Sequence, residues 1–164
     1  MYFFTSDEHI NHINIIKYCK RPFKDIQEME KVLVYNHNNV VRAKDTVIHA
    51  GDLTLGKKEV AANYIKQLNG NHIFLKGSHD HWLGNGSYIW TKMIDNQYVV
   101  VCHYCMKTWP RSHYYSWQLF GHSHGRLILT PSEAMCQYDI GVDNNNFYPA
   151  SFDQIRNIFN NNIL

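Results

Sequence analysis

Histidine, aspartate and serine side chains follow directly on five short apolar runs of this 164-residue chain. In chain order these side chains are Asp7 and His9, then Asp52, then Ser78, His79 and Asp80, then His103, and last His122 and His124. Polar residues at the carboxyl ends of buried strands form the sites of open α/β sheets. One such run would be ordinary turn chemistry, but five of them favour a shared site.

Carboxylate and imidazole groups in this combination are ligands for divalent transition metals. Asp7 and His9 are two residues apart, as are His122 and His124, so each pair can point into one crevice where its strand ends. Asp52 stands alone after a glycine and is the candidate to bridge two ions through its two oxygens. Because unpaired buried carboxylates are costly, cations are their expected partners. A purely structural metal site or a salt-bridged polar core is the alternative.

Alternating strands and helices must position these residues in the first half of the chain. The apolar patterns predict strands over 1–5, 46–50 and 72–76 and helices over 11–18, 25–41 and 58–68. In the second half they predict strands over 92–94, 98–103, 117–121, 126–130 and 135–140, and a closing helix over 151–160. The expected fold is α/β, with two stacked mixed β-sheets flanked by α-helices, in a single domain over 1–164.

Composition and charge argue against several classes of function. The formal charge of +2 comes without a long Lys/Arg run, which disfavours nucleic-acid binding driven by bulk charge. The four cysteines do not resemble a disulfide framework, and no run resembles a signal peptide or a membrane span. We therefore expect a cytoplasmic protein with no membrane partner. Three further histidines, His37, His49 and His72, are expected to be ordinary core or surface residues.

Five short segments together resemble the motifs of the calcineurin-like metallophosphoesterase superfamily, in order and in spacing. They are Asp7-Glu8-His9, Gly51-Asp52, Gly77-Ser78-His79-Asp80, His103 and Gly121-His122-Ser123-His124. The flanking segments, among them Arg21-Pro22-Phe23 and Ile140-Gly141-Val142-Asp143, resemble those of the small bacterial and phage phosphoesterases. The likeness covers essentially the whole chain and implies a single metallophosphoesterase domain.

The resemblance implies a site for two divalent transition metal ions, with manganese favoured over iron, zinc and nickel. The first ion would be held by Asp7, His9, Asp52 and His124. The second would be held by Asp52, which bridges, and by His103 and His122. Ser78 stands where the family has an asparagine that binds the second ion, so that ion should bind more weakly. His79 would be the catalytic histidine with Asp80 as its orienting partner, while His12, Arg21 and His81 are candidate substrate contacts.

The implied activity is metal-dependent hydrolysis of phosphate esters. The segment after Asp52 lacks the Asp-Arg-Gly of the Ser/Thr protein phosphatases in this superfamily. We therefore expect a phosphodiesterase that acts on small phosphodiesters, nucleotides or cyclic phosphates. One alternative is a non-catalytic metal-binding scaffold with a second metal site weakened by Ser78. The other is a nuclease, although nucleic acid is not indicated by the charge pattern. The sequence does not indicate an oligomeric state.

Overall fold

Two four-stranded sheets make up the frame of the protein in the computed structural model, which describes residues 1–162. The strands are β1 (Tyr2–Thr5), β2 (Thr46–His49), β3 (Asn71–Phe74), β4 (Ile89–Ile94), β5 (Gln97–Cys102), β6 (Trp117–Phe120), β7 (Gln137–Asp139) and β8 (Ala150–Ser151). The helices are α1 (Asn14–Tyr18), α2 (Ile26–Val40), α3 (Lys58–Ile65), α4 (Pro131–Ala134) and α5 (Phe152–Asn162). The last two positions of the predicted domain, 163–164, lie outside the described residues.

Both sheets are mixed, as predicted. The first has the order β3-β2-β1-β8, with β1, β2 and β3 parallel and β8 antiparallel to β1. The second has the order β4-β5-β6-β7, with β5, β6 and β7 parallel and β4 antiparallel to β5. The carboxyl ends of parallel strands lie at the same edge of a sheet. The loops that carry the predicted site residues therefore emerge together.

The main core joins the two sheets and the last helix. Its fully buried side chains include Phe4 and Ile48 from the first sheet, Val101 and Leu119 from the second, and Ile155 from α5. The alternation of apolar residues along β5 and β6 directs one set of side chains into this layer. Burial of this apolar surface is the dominant force that holds the sheets together.

A second apolar cluster packs the first three helices beside the first sheet. Asp25 caps α2 by accepting a hydrogen bond from the Glu28 amide. The helix then buries Met29 and Leu33 in the cluster, which also contains Leu53 from the loop after β2. None of the helices in residues 1–162 is long and apolar enough to cross a membrane.

The predicted strand over 126–130 is wrong. This segment has no regular structure and pairs with neither sheet, and Ile128 is 92% exposed. Thr130 instead caps the short helix α4 in a capping box with Glu133, and Pro131 occupies the first turn. The apolar residues of segment 126–130 line a surface groove that is described below. The two-residue strand β8, which pairs with β1, was not predicted because so short a strand has no periodic pattern.

Candidate metal site

Backbone hydrogen bonds bring the loops after the strands into contact. The Asp7 amide donates to the Gly51 carbonyl at 3.0 Å, and the His9 amide donates to the Asp52 carbonyl at 3.0 Å. The loop after β6 joins them, because the His122 amide donates to Asp7 Oδ2 at 2.9 Å. The loops of both sheets therefore form one cleft, and residues that are 115 positions apart in sequence meet there.

Five of the predicted metal ligands have left-handed backbone conformations. The φ angles are 62° at Asp7, 54° at His9, 58° at Asp52, 67° at His122 and 50° at His124. Residues other than glycine rarely adopt positive φ, and clusters of such conformations occur at functional sites. At each of these positions the chain turns sharply as it leaves a strand, which directs the side chain into the cleft.

The cleft contains two groups of three potential metal ligands. One consists of Asp7, His9 and His124, and the other of Asp52, His103 and His122; within each group the donor atoms lie within 4.8 Å of one another. Asp52 lies between the groups, since its Oδ2 is 3.8 Å from His9 Nε2 and 3.4 Å from His103 Nε2. The structure thus brings together the acidic and imidazole residues that the sequence singled out.

Three buried side-chain atoms in the cleft that could bind a metal have no hydrogen-bond partner. They are Asp7 Oδ1, His9 Nε2 and His103 Nε2. An unpaired buried polar atom costs free energy unless a cation or another partner satisfies it. All three atoms belong to the two ligand groups, so divalent ions fit the residues that are present.

Hydrogen bonds outside the cleft fix the orientation of two of the imidazoles. His103 Nδ1 donates to the Ala50 carbonyl at 3.0 Å, and His124 Nδ1 donates to Asp143 Oδ2 at 2.7 Å. In both rings the proton on Nδ1 leaves the lone pair of Nε2 free to bind a metal. Such a second hydrogen bond is typical of histidines that bind metals.

Burial shifts the pKa values of Asp7 and His9 in opposite directions. It raises the pKa of Asp7 to about 7, although the neighbouring His103 and His124 oppose the shift. It lowers the pKa of His9 to about 3, so this imidazole is neutral at pH 7 and its lone pair is available. A buried carboxyl group with a raised pKa is one that a nearby cation would stabilise in its charged form.

Asp52 and His103 lie against each other deeper in the cleft, with Asp52 Oδ2 3.4 Å from His103 Nε2. Burial opposes ionisation of Asp52, but the adjacent His103 and the His79 amide, which donates to Asp52 Oδ1 at 2.9 Å, lower its pKa. Burial alone would lower the pKa of His103, but the Asp52 and Asp7 carboxylates outweigh it and raise that pKa. The carboxylate of Asp52 is therefore charged, which suits a group shared by two ions.

Ser78 and His79 lie beside Asp52 at the mouth of the cleft. The Ser78 hydroxyl donates to Asp52 Oδ2 at 3.0 Å, so the serine contacts the shared carboxylate. The His79 side chain is 41% exposed, and its Nε2 lies 3.8 Å from the same oxygen. His79 is therefore accessible to a molecule that enters the cleft.

Of the remaining predicted substrate contacts, one histidine lies in the cleft. His12 is half-buried, with Nδ1 3.3 Å from His9 Nδ1, and its ring centroid is 6.4 Å from that of His79. His81 is exposed and lies in the 3₁₀ turn His81–Leu83, without a ring contact to the cleft histidines in the described chain. A substrate contact by either residue stays a prediction.

The prediction that Arg21 contacts substrate is wrong, because its side chain is completely buried. The guanidinium forms a two-pronged salt bridge to Asp143, at 2.8 and 2.7 Å. It also donates to the backbone carbonyls of Asp7 and Glu8. Arg21 therefore ties the first ligand loop to Asp143, which in turn orients His124. Asp143 lies in a flanking segment of the sequence, where no pattern indicated this role.

The predicted pairing of Asp80 with the His79 ring is also wrong. The buried Asp80 carboxylate accepts hydrogen bonds from the amides of Asp52, Leu53 and Gly77, and from Trp82 Nε1. These donors belong to the loops after β2 and β3. Asp80 therefore holds the two loops in register and supports the position of Asp52, because a carboxylate satisfies several amide donors at once.

Two glycines pack directly against the ligand carboxylates. A Cβ atom at Gly77 would lie 2.1 Å from Asp52 Oδ1, and a Cβ atom at Gly121 would lie 2.4 Å from Asp7 Oδ2. Neither distance is compatible with a side chain. The close approach of these backbone segments is therefore part of how the cleft holds its two carboxylates.

Comparison with known proteins assigns the fold. No family model matches the chain. The structure of a protein of unknown function from Aquifex aeolicus, AQ665, superposes with a TM-score of 0.76 at 21% identity, over 96% of this chain and 98% of that one. A single mutant of Vps29 from Entamoeba histolytica superposes with a TM-score of 0.51 at 18% identity, over 85% and 72% of the two chains. The fold is that of the calcineurin-like metallophosphoesterases.

A relative in sequence adds no assigned activity to this fold. The uncharacterized protein MJ1445 of Methanocaldococcus jannaschii is 50% identical to this chain over 80 residues, which are 48% of this chain and 46% of the relative. The chain thus spans about half the length of the curated relative that it matches. The metallophosphoesterase fold predicted from the five motifs is confirmed, and the residues of the candidate metal site lie in its cleft.

Proposed function

We propose that this chain is a phosphodiesterase that uses two divalent transition metal ions to hydrolyse small phosphodiesters, nucleotides or cyclic phosphates. The observation that carries the proposal is the pair of ligand groups around Asp52, with three buried donor atoms that have no other partner. The mixed imidazole and carboxylate ligands suit manganese, iron, zinc or nickel, and we favour manganese. Ions bound there would polarise phosphoryl oxygens and activate water.

The residues of the chain have distinct roles in this proposal. The first ion is assigned to Asp7, His9, Asp52 and His124. The second is assigned to Asp52, Ser78, His103 and His122. His79, exposed at the mouth of the cleft, is placed to contact the phosphate and to give a proton to the departing oxygen. His12 lies close enough to His79 to bind the same phosphate group.

Hydrolysis of bis-p-nitrophenyl phosphate with added manganese tests this function. The wild-type chain should bind two ions, as measured by elemental analysis after dialysis. His79→Ala should lower turnover of a cyclic nucleotide, whose departing alkoxide needs a proton, by about 10²–10⁴-fold, the usual contribution of a general acid. His113→Ala is the matched control, because His113 is exposed and lies outside the cleft. Equal rates for wild type and His79→Ala would contradict a catalytic role for this histidine.

A non-catalytic metal-binding scaffold is the second candidate, and Ser78 is the observation in its favour. The serine hydroxyl is a weaker metal ligand than an amide oxygen, and here it donates a hydrogen bond to Asp52 Oδ2. A scaffold of this kind would bind one ion firmly and hydrolyse no ester. The same elemental analysis and turnover measurements separate the two candidates.

A further inference from the structure

A surface groove continues from the candidate metal site along the loop after β6. We infer that this groove holds the nucleobase of a nucleotide-type phosphoester whose phosphate lies in the cleft; this rests on the proposed function. The groove has a volume of about 490 Å³, within the roughly 300–1,000 Å³ of small-molecule sites. His122 lines the groove and also belongs to the second ligand group, so one substrate can span both.

Tyr104 forms the wall of the groove nearest to the cleft. Its ring centroid lies 4.8 Å from that of His103 and 4.7 Å from that of His122. The side chain nevertheless remains 44% exposed. A planar group attached to a phosphate in the cleft would meet this ring, and nucleobases stack favourably on aromatic side chains.

Two buried glutamines hold this wall in place. Gln118 Nε2 donates to the Tyr104 carbonyl at 3.2 Å, while Gln118 Oε1 accepts from the Met106 amide at 3.3 Å. Gln137 Nε2 donates to the Met106 carbonyl and to Gln118 Oε1, both at 2.9 Å. Both glutamines lie in the second sheet, at β6 and β7, so the sheet fixes the loop before any ligand arrives. A pre-formed wall avoids the cost of ordering a loop on binding.

Part of the groove lining is apolar, and the groove also has polar residues. Leu127 is 46% exposed and Ile128 is 92% exposed, in the segment that does not form the predicted strand. Lys107 and Glu133 also line the groove, 3.5 Å apart, and offer hydrogen-bond donors and acceptors to a ligand. A planar ring with polar edges matches this combination, whereas an aliphatic chain has no groups that could form hydrogen bonds with the charged pair.

Competitive inhibition of bis-p-nitrophenyl phosphate hydrolysis by adenosine 5′-monophosphate and by methyl phosphate tests the groove. Both inhibitors carry the same phosphate group, so their ratio of inhibition constants isolates the contribution of the nucleoside. For the wild-type chain we expect adenosine monophosphate to bind at least about tenfold more tightly. Leu127→Asp and Tyr104→Leu should each reduce that ratio severalfold. Ile89→Asp is the control, because Ile89 is 40% exposed on β4, outside the groove lining.

The outcomes separate the groove from the proposed function. Equal inhibition by the two compounds, or a ratio that neither groove variant changes, overturns the groove while hydrolysis stands. A loss of hydrolysis in Leu127→Asp is checked against thermal unfolding, and Tyr104→Leu provides the second variant. Failure of the wild-type chain to hydrolyse any ester and to bind either phosphate overturns the proposed function and this inference with it.

Discussion

Two groups of histidines lie in this molecule, and their surroundings differ. In the cleft, the carboxylates of Asp7 and Asp52 lie among several imidazoles, and three possible metal-ligand atoms have no hydrogen-bond partner. The inner histidine cluster, His37, His49 and His72, lies between α2 and the first sheet. The two groups have the same residue type, yet only one of them has the form of a metal site.

Hydrogen bonds and packing satisfy most of the inner histidine cluster. His49 Nδ1 donates to Glu8 Oε1 at 2.8 Å, and its Nε2 is 3.0 Å from His72 Nδ1. His37 Nε2 donates to the Asn69 carbonyl at 2.9 Å. Burial lowers the pKa of both His37 and His72 to about 4, so these rings are neutral at pH 7. They behave as polar core residues.

The comparison shows that convergent ligand atoms and backbone conformation distinguish the candidate metal site from a polar core. Glu8 Oε2 and His72 Nε2 are buried without partners, but within residues 1–162 they belong to no group of three close donor atoms. His37, His49 and His72 also lie in regular helices and strands, whereas five of the predicted cleft ligands occupy turns with positive φ.

The largest difference in turnover between the two groups should appear when one histidine of each is exchanged for glutamine. His122→Gln should lower hydrolysis of bis-p-nitrophenyl phosphate by roughly a hundred- to a thousandfold and remove one ion, because a ligand of the second ion is lost. His72→Gln, in the inner histidine cluster, should change turnover by less than about twofold. Steady-state kinetics and elemental analysis measure both. Similar losses in the two variants would erase the distinction drawn between the groups.

The inner histidine cluster should make the protein acid-sensitive. Because the folded-state pKa of His37 is about 4 and the unfolded value is 6.5, the unfolded chain takes up the proton first as pH falls. The stabilisation that His37 gives to the folded state is complete above pH 6.5. It is lost between pH 6.5 and about 4, and the loss is up to about 3 kcal/mol in the free energy of unfolding. Urea unfolding of the metal-free chain across this range measures the slope.

His37→Gln should flatten that slope, since glutamine can still donate to the Asn69 carbonyl but does not titrate. The matched control is His113→Gln, at an exposed position. An unchanged slope in His37→Gln would show that other groups cause the acid sensitivity.

Removing the charge of Asp143 should weaken metal binding without removing a ligand. Asp143→Asn keeps the shape of the side chain but loses the charged acceptor for His124 and for the buried Arg21. Loss of such a supporting group lowers metal affinity by about 10–100-fold. Calorimetric titration of manganese below the unfolding temperature measures this effect separately from stability. Unchanged affinity would mean that His124 needs no orientation by Asp143.

The smallest effect is expected at Ser78. Ser78→Asn should raise the affinity for the second ion by about tenfold and raise the rate of hydrolysis with it, because an amide oxygen is the better ligand. Ser78→Ala removes the hydroxyl that donates to Asp52 Oδ2 and serves as the comparison. Metal titrations that are identical for serine, alanine and asparagine would remove any role of this position in metal binding.

The sequence predicted the cleft well because each ligand follows a strand, and parallel strands end at a common edge. It failed for Arg21 and Asp80, since a charged residue next to a motif can face either the substrate or the protein interior. Asp143 was missed for the same reason: its contacts with Arg21 and His124 depend on tertiary packing. The predicted strand over 126–130 failed because apolar residues there line a groove instead of pairing in a sheet.

Gly77 and Gly121 have a consequence for mutational surveys of this protein. A single methyl group at either position would push against an oxygen of Asp52 or Asp7, so exchange to alanine would displace a carboxylate of the cleft without deleting it. A scan that truncates only reactive side chains would pass over both positions. Attempts to transplant the cleft into another scaffold must carry the two bare backbone segments along with the acidic and imidazole groups.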